Sequence, residues 1–189
     1  MSLAKLGYTE KWIRYKFIDE DAFNEQFETF QADSSIDTSK LRYDVFMSWI
    51  ESKETFTNRE VKNFLELARH DQDIQMAGTA LKELFLSPKI SEPQFEMLVV
   101  KLPEFGDWTQ KLTRREVLLR KLKSEPITFA FYKRCLAYKN DFSDSRPLVA
   151  MIKKTDDVEI LEDFQNIECG KKIKTLAQNR LNQVNRAAK

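Results

Sequence analysis

The chain has 189 residues, of which 42% are hydrophobic and 32% charged, and its formal net charge is +1. This length suits one domain or a compact array of small units with a real core, and 14 phenylalanines argue against disorder. Four glycines and five prolines are too few for the hairpins and bulges of a sheet protein, so the composition favours helices.

The near-neutral total conceals a division. Residues 1–110 carry 13 Lys+Arg against 20 Asp+Glu, a balance of −7, whereas residues 111–189 carry 18 against 10, a balance of +8. Such a split bears on partners rather than on fold. No apolar run approaches the roughly 20 residues needed to cross a bilayer, and the opening MSLAKLGYTEKW lacks the apolar segment of a secretory signal. Cys135 and Cys169 are expected to be free thiols in a reducing cytoplasm, with a reactive thiol as the alternative.

In chain order, Trp12, Ile13, Phe17, Phe23, Phe27 and Phe30 predict one or two helices over 9–30, interrupted near the acidic triplet 19–21. The aromatic side chains Trp12 and Tyr15 fit either a core or a partner-docking surface. The polar stretch 31–40 reads as a loop, and Leu41, Val45, Phe46, Trp49 and Ile50 then form a helical stripe. Capping-box spacing recurs at Thr57 with Glu60, Ser91 with Gln94, and Thr113 with Glu116, although the last pattern also begins at Asp107. Stops fall at 87–89, at Pro103 and at 124–126. Further helices are predicted over 126–138, 145–154, 156–167 and 171–184, for roughly ten short helices and no strand.

Three segments align. Phe64, Leu67, Ala68 and Ile74 match Phe95, Leu98, Val99 and Phe105, then Tyr132, Cys135, Leu136 and Phe142. Their starts lie 31 and 37 residues apart, about one helix pair, and Phe46, Trp49, Ile50 and Phe56 fit as a partner helix. With the apolar stripes after them, such as Ala77-Ala80-Leu81-Leu84 and Leu148-Met151-Ile152, this pattern loosely resembles the HEAT and armadillo group of helical-repeat proteins. The resemblance implies an all-α fold of short antiparallel helix pairs stacked as a small right-handed superhelix, with capping helices over 1–37 and the array over 38–189. An irregular helical bundle is the alternative. The prolines, aspartates and arginines of a well-formed HEAT unit do not recur at fixed offsets, and the resemblance carries no catalytic residue.

The single histidine, His70, sits in RHDQD between two predicted helices. Arg69 and His70 suit a helix's last turn, and Asp71 or Asp73 suits the next N-cap, so each polar residue has a local use. One histidine and two isolated cysteines give no zinc-ligand pair. Nucleophile-elbow and glycine-rich phosphate motifs are absent from the sequence. No catalytic, metal or cofactor residue is therefore predicted, and a carboxylate-based enzyme is the remaining catalytic alternative. The basic stretch 111–123 contributes Lys111, Arg114, Arg115, Arg120, Lys121 and Lys123, and the tail adds Lys171, Lys172 and Lys174. These are candidates for nucleic-acid or anion binding, or else a solvated face around the apolar side Trp108, Leu112, Leu119 and Leu122. The expected function is a non-enzymatic scaffold for a protein or peptide partner, as monomer or homodimer, with nucleic-acid binding second.

Overall fold

Oxygen-bearing side chains open most of the helices. In the computed structural model, which describes residues 3–187, Asp19 accepts the Ala22 amide and starts α2 (Glu20–Ala32), after the short α1 (Glu10–Arg14). Asp37 accepts from Ser39 and Lys40 at α3 (Thr38–Glu51), and Thr57 and Glu60 close a reciprocal box at α4 (Asn58–Arg69). Asp73 caps α5 (Ile74–Leu86), and Ser91 pairs with Gln94 at α6 (Glu92–Lys101). Thereafter come α7 (Asp107–Ser124), α8 (Phe129–Phe142), α9 (Arg146–Lys154), α10 (Val158–Asn166) and α11 (Lys171–Ala187). Two short 3-10 turns, Leu3–Leu6 and Leu102–Phe105, complete the described elements, among which there is no strand. No described helix is long and apolar enough to cross a membrane.

Two expected starts move. Thr113 is buried inside α7, which begins at Asp107, so Thr113 and Glu116 form no capping box. Likewise α8 starts at Phe129 rather than near 126, because the Thr128 hydroxyl accepts the Phe131 amide. The buried face of α7 also differs: Leu112, Leu118 and Leu122 are buried, while Trp108 is 41% exposed. A helix stripe chosen by Leu119 is one residue out of register with the one the packing uses.

The described chain forms two compact units, Met1–Gln110 and Lys111–Lys189, and the division falls within α7. In the first unit, side chains from the described residues 3–37 share one core with α3 and α4. Phe17 stacks on Trp49 at 4.4 Å, Phe46 lies 4.4 Å from Phe64, and Trp12 sits 4.6 Å from Phe46. Trp12 is only 2% exposed, so it is a core residue and presents no docking surface. In the second unit, α8 packs on α9, and α11 packs on both α9 and α10. Tyr132, Cys135, Met151, Ile160 and Phe164 are completely buried there.

The aligned segments share their first positions and diverge at the last. Phe64, Leu67, Phe95, Leu98, Tyr132 and Cys135 are all buried. The tenth-position residue is an exposed first residue of α5 at Ile74, part of a 3-10 turn at Phe105, and the end of α8 at Phe142.

One polar constraint organises the first unit. The Arg42 guanidinium, 2% exposed, donates from Nε and Nη2 to the two Asp71 oxygens, each at 2.8 Å. Its Nη1 donates to the carbonyls of Leu6 at 2.7 Å and Thr38 at 2.9 Å. Asp71 also accepts the Asp73 amide at 2.8 Å, which fixes the turn before α5. The buried pair is thus fully hydrogen-bonded, the condition under which burying two charges is tolerated. Gly7 has φ +78°, and a Cβ there would fall inside the guanidinium, 2.8 Å from Cζ.

Removing one member of this pair strands the other. Asp71→Asn is expected to lower the unfolding free energy by about 3–5 kcal/mol in urea melts, and Gly7→Ala by at least about 2 kcal/mol. Because both displace the same guanidinium, the double variant should lose less than the sum. Strict additivity in the double-mutant cycle would show that Gly7 and Asp71 act separately.

Candidate functional site

The RHDQD stretch resolves into structure. His70 is the C-cap of α4, its amide donating to the Leu67 carbonyl at 3.2 Å. Asp71 belongs to Arg42, and Asp73 accepts from Gln75 and Met76 as the α5 N-cap. Among the described residues, no group of three or more His, Cys, Asp or Glu side chains is placed to share a metal ion. Tyr15 is half-buried, and its hydroxyl donates to Glu66 at 2.7 Å beside the Lys11–Glu66 ion pair. Those two donors, Lys11 first, hold the Glu66 carboxyl below its ordinary range.

The boundary between the compact units at 110/111 is also where the charge changes sign. In the first unit the acidic excess sits in one place: residues 17–39 contain seven Asp or Glu and no Lys or Arg. Glu25 and Glu28 stand exposed on α2, opposite the buried Phe23 and Phe27.

In the second unit many cations reach back to helix ends. Lys111 Nζ donates to the Phe142 carbonyl that ends α8, at 2.8 Å. Lys174 Nζ donates to Gln165 in the last turn of α10, at 2.9 Å, and Lys154 reaches the Leu122 carbonyl near the end of α7. Arg180 Nε donates to the Thr155 carbonyl at the α9 C-cap, at 3.0 Å. The last carbonyls of a helix lack partners within it and carry the negative end of its dipole, so a cation from a neighbouring helix serves both needs.

The nine predicted basic residues therefore do not share one place. Lys111 and Arg114 meet the end of α8, where Arg114 lies 5.3 Å from the Phe142 ring and 3.9 Å from Asp141. One turn earlier on α8, Lys139 Nζ approaches the Glu168 carbonyl at 3.5 Å, next to the segment bearing Lys171, Lys172 and Lys174. Lys139 is not among the predicted residues, since its helix carries no basic run. Arg120, Lys121 and Lys123 lie on the last turns of α7, where Lys121 pairs with Glu125 at 3.1 Å. The distance along α7 from Lys111 to Lys123 is about 18 Å. Arg115 turns instead to its neighbour Glu116 at 2.7 Å.

Lys171 and Lys174 line an open groove of about 600 Å³ at the α10–α11 junction. Gln165, Thr175, Gln178 and Asn179 supply amides and a hydroxyl to its walls, and Lys171 and Lys174 supply charge. Glu168 is the acidic residue among its lining side chains, and Cys169 lies at its base, 2% exposed. Both cysteines are free; burial pushes the Cys135 thiol up to about 12 and raises Cys169 as well, so neither is poised as a thiolate. The groove amides are legible as letters in the C-terminal helix but have no signature marking them as a site.

The start of α9 is held by a buried carboxylate near Lys111. Asp144 accepts from Arg146 through Nε at 2.9 Å and Nη2 at 2.6 Å, and from the Arg146 amide at 3.1 Å. The Tyr138 hydroxyl lies 3.0 Å from Asp144 and 3.1 Å from the Lys111 carbonyl, sharing its proton between two acceptors. Burial and then the Asp144 hydrogen bond push Tyr138 up to about 12. The Arg146 guanidinium holds Asp144 well below the ordinary carboxylate range.

A carboxyl whose folded pKa is depressed stabilises the fold above its unfolded pKa, about 3.9, and loses that contribution as pH falls towards its folded value. Asp144→Asn should therefore cost about 1–3 kcal/mol at neutral pH, and the gap from the parent chain should close with acid below about pH 4. Urea midpoints measured across that range check this; a gap that stays constant in acid would place the cost in packing rather than charge.

Comparison of this chain with protein-family models, with curated proteins and with solved structures finds no match.

Proposed function

We propose that this protein is a non-enzymatic helical-repeat interaction module that docks a protein or peptide partner in the α10–α11 groove. The observation that carries this reading is the groove itself: an open concavity whose accessible lining is mostly apolar and whose polar points come from amides, a hydroxyl and lysines. Such walls suit reversible polar recognition, since amides offer both donors and acceptors. Helix pairs stacked in the HEAT and armadillo manner, as a small right-handed superhelix, are part of the same proposal. Support for the pairing comes from α4 with α5, α8 with α9 and α10 with α11, each pair consecutive in sequence and packed together. Burial of the aligned aromatic and third-following residues supports it too.

The immobilised full chain, challenged with native lysate, should retain a stoichiometric partner. Gln178→Trp/Asn179→Trp, which fills the groove with neutral bulk from α11, should release it. Absence of any stoichiometric partner, or equal retention by the variant, removes the reading.

Nucleic-acid backbone binding is the second reading, favoured by the +8 balance of residues 111–189 and by the exposed Lys171 and Lys172 near Lys174 on α11. Phosphate contacts release counterions, so affinity must fall steeply with salt. Gel-shift titrations over a salt series decide it, and no binding at low ionic strength eliminates it.

A further inference from the structure

We infer that the segment received by the α10–α11 groove is an acidic stretch of polypeptide, an inference that rests on the docking reading above and adds the chemistry of the partner. Its basis is the way the lysines are held. Lys174 donates to the Gln165 carbonyl and Lys139 approaches the Glu168 carbonyl, both main-chain acceptors rather than carboxylates. A carbonyl positions the ammonium without neutralising it, and an ammonium has three donors, so two remain on Lys174 and one on Lys139, which also donates to Asn140 Oδ1 at 3.2 Å. The side-chain entropy of these lysines is already reduced before anything binds, which lowers the cost of recognising an anion.

Lys171 adds an exposed charge to the groove lining, Lys172 follows it on α11 and is also exposed, and Glu168 is the acid among the groove's lining residues. The occupant must therefore bring negative charge. It must also suit the lining, which includes Gln165, Gln178 and Asn179, side chains that each carry both amide N–H and C=O groups. A peptide main chain offers both partners at every residue, whereas a phosphodiester backbone offers acceptors alone and leaves the amide oxygens unmatched. At about 600 Å³ the groove holds a few residues of extended chain. A carboxylate-bearing peptide meets all three conditions: charge, hydrogen-bonding pattern and size.

The test uses the full chain and three fluorescent probes: a short peptide of alternating Glu and Gly, its Gln/Gly counterpart, and a short oligothymidylate. The Glu/Gly peptide should bind at least about tenfold more tightly than Gln/Gly in anisotropy titrations, with amide NMR shifts confined to residues 165–179. Lys171→Glu/Lys172→Glu should abolish that preference while leaving the thermal melt unchanged, since both side chains are exposed. Lys174→Met, which also removes an anchored ammonium, should reduce it in part.

Equal binding of Gln/Gly would overturn the acidic assignment and leave groove docking standing. Preferential binding of oligothymidylate would overturn it in favour of nucleic acid, and undiminished binding by the charge-reversed variant would show that these lysines do not recognise the ligand. Failure of all three probes also overturns it, and the lysate experiment then judges the docking reading by itself.

Discussion

Arg42 is taken out of water with its charge intact, and the first unit is arranged so that this is tolerable. Its guanidinium meets the Asp71 carboxylate in a bidentate pair and the carbonyls of Leu6 and Thr38 with its remaining nitrogen. Those four contacts come from three separate stretches of chain: the N-terminal turn, the start of α3 and the α4–α5 connection. An unpaired buried charge costs several kcal/mol, so none of the three can shift alone. The aromatic cluster around Trp12, Phe17, Phe46, Trp49 and Phe64 supplies the burial, but apolar contact is non-directional. The ion pair supplies direction, and it places the helix starts at Thr38 and Ile74 relative to Leu6.

The second unit solves a different problem, that of many short helices in a small volume. Each helix end leaves carbonyls without partners, and α7, α8, α9 and α10 all end within reach of a lysine or arginine from another helix. Part of the basic excess of this region is consequently structural. At Lys174 the charge is not neutralised by the carbonyl it meets, whereas Arg180 also pairs with Asp156 at 2.5 Å. Lys174 both meets the end of α10 and lines the groove, which links the stability of the unit to the chemistry it presents.

Local signals in the sequence are reliable where the interaction is itself local. The Thr57–Glu60 and Ser91–Gln94 boxes and the Asp73 cap depend on residues three positions apart. Where the decision is long-range, the same signals mislead. Thr113 and Glu116 have box spacing, yet α7 already runs through them, since Leu118 and Leu122 face a core assembled from α8 to α11. Trp12 fits both core and surface, and only its neighbours Tyr8 and Phe46 settle which. The candidate site is legible as a collection of basic residues, not as a place: Lys171 and Lys174 line the groove, Lys111 and Arg114 meet the end of α8, and Arg120, Lys121 and Lys123 stand at the far turns of α7.

By itself the sequence determined an all-helical chain, its main breaks, two free thiols and a change of charge sign at residue 110, because composition, periodicity and capping act over a few residues. The tertiary structure alone decided that Asp71 serves Arg42 rather than His70, that Gly7 must lack a side chain, and that Lys139 joins Lys174 beside the groove. Those pairings join residues roughly 30 or more positions apart, and nothing in the spacing of either partner encodes the other. They exist only once helix packing has brought the ends together.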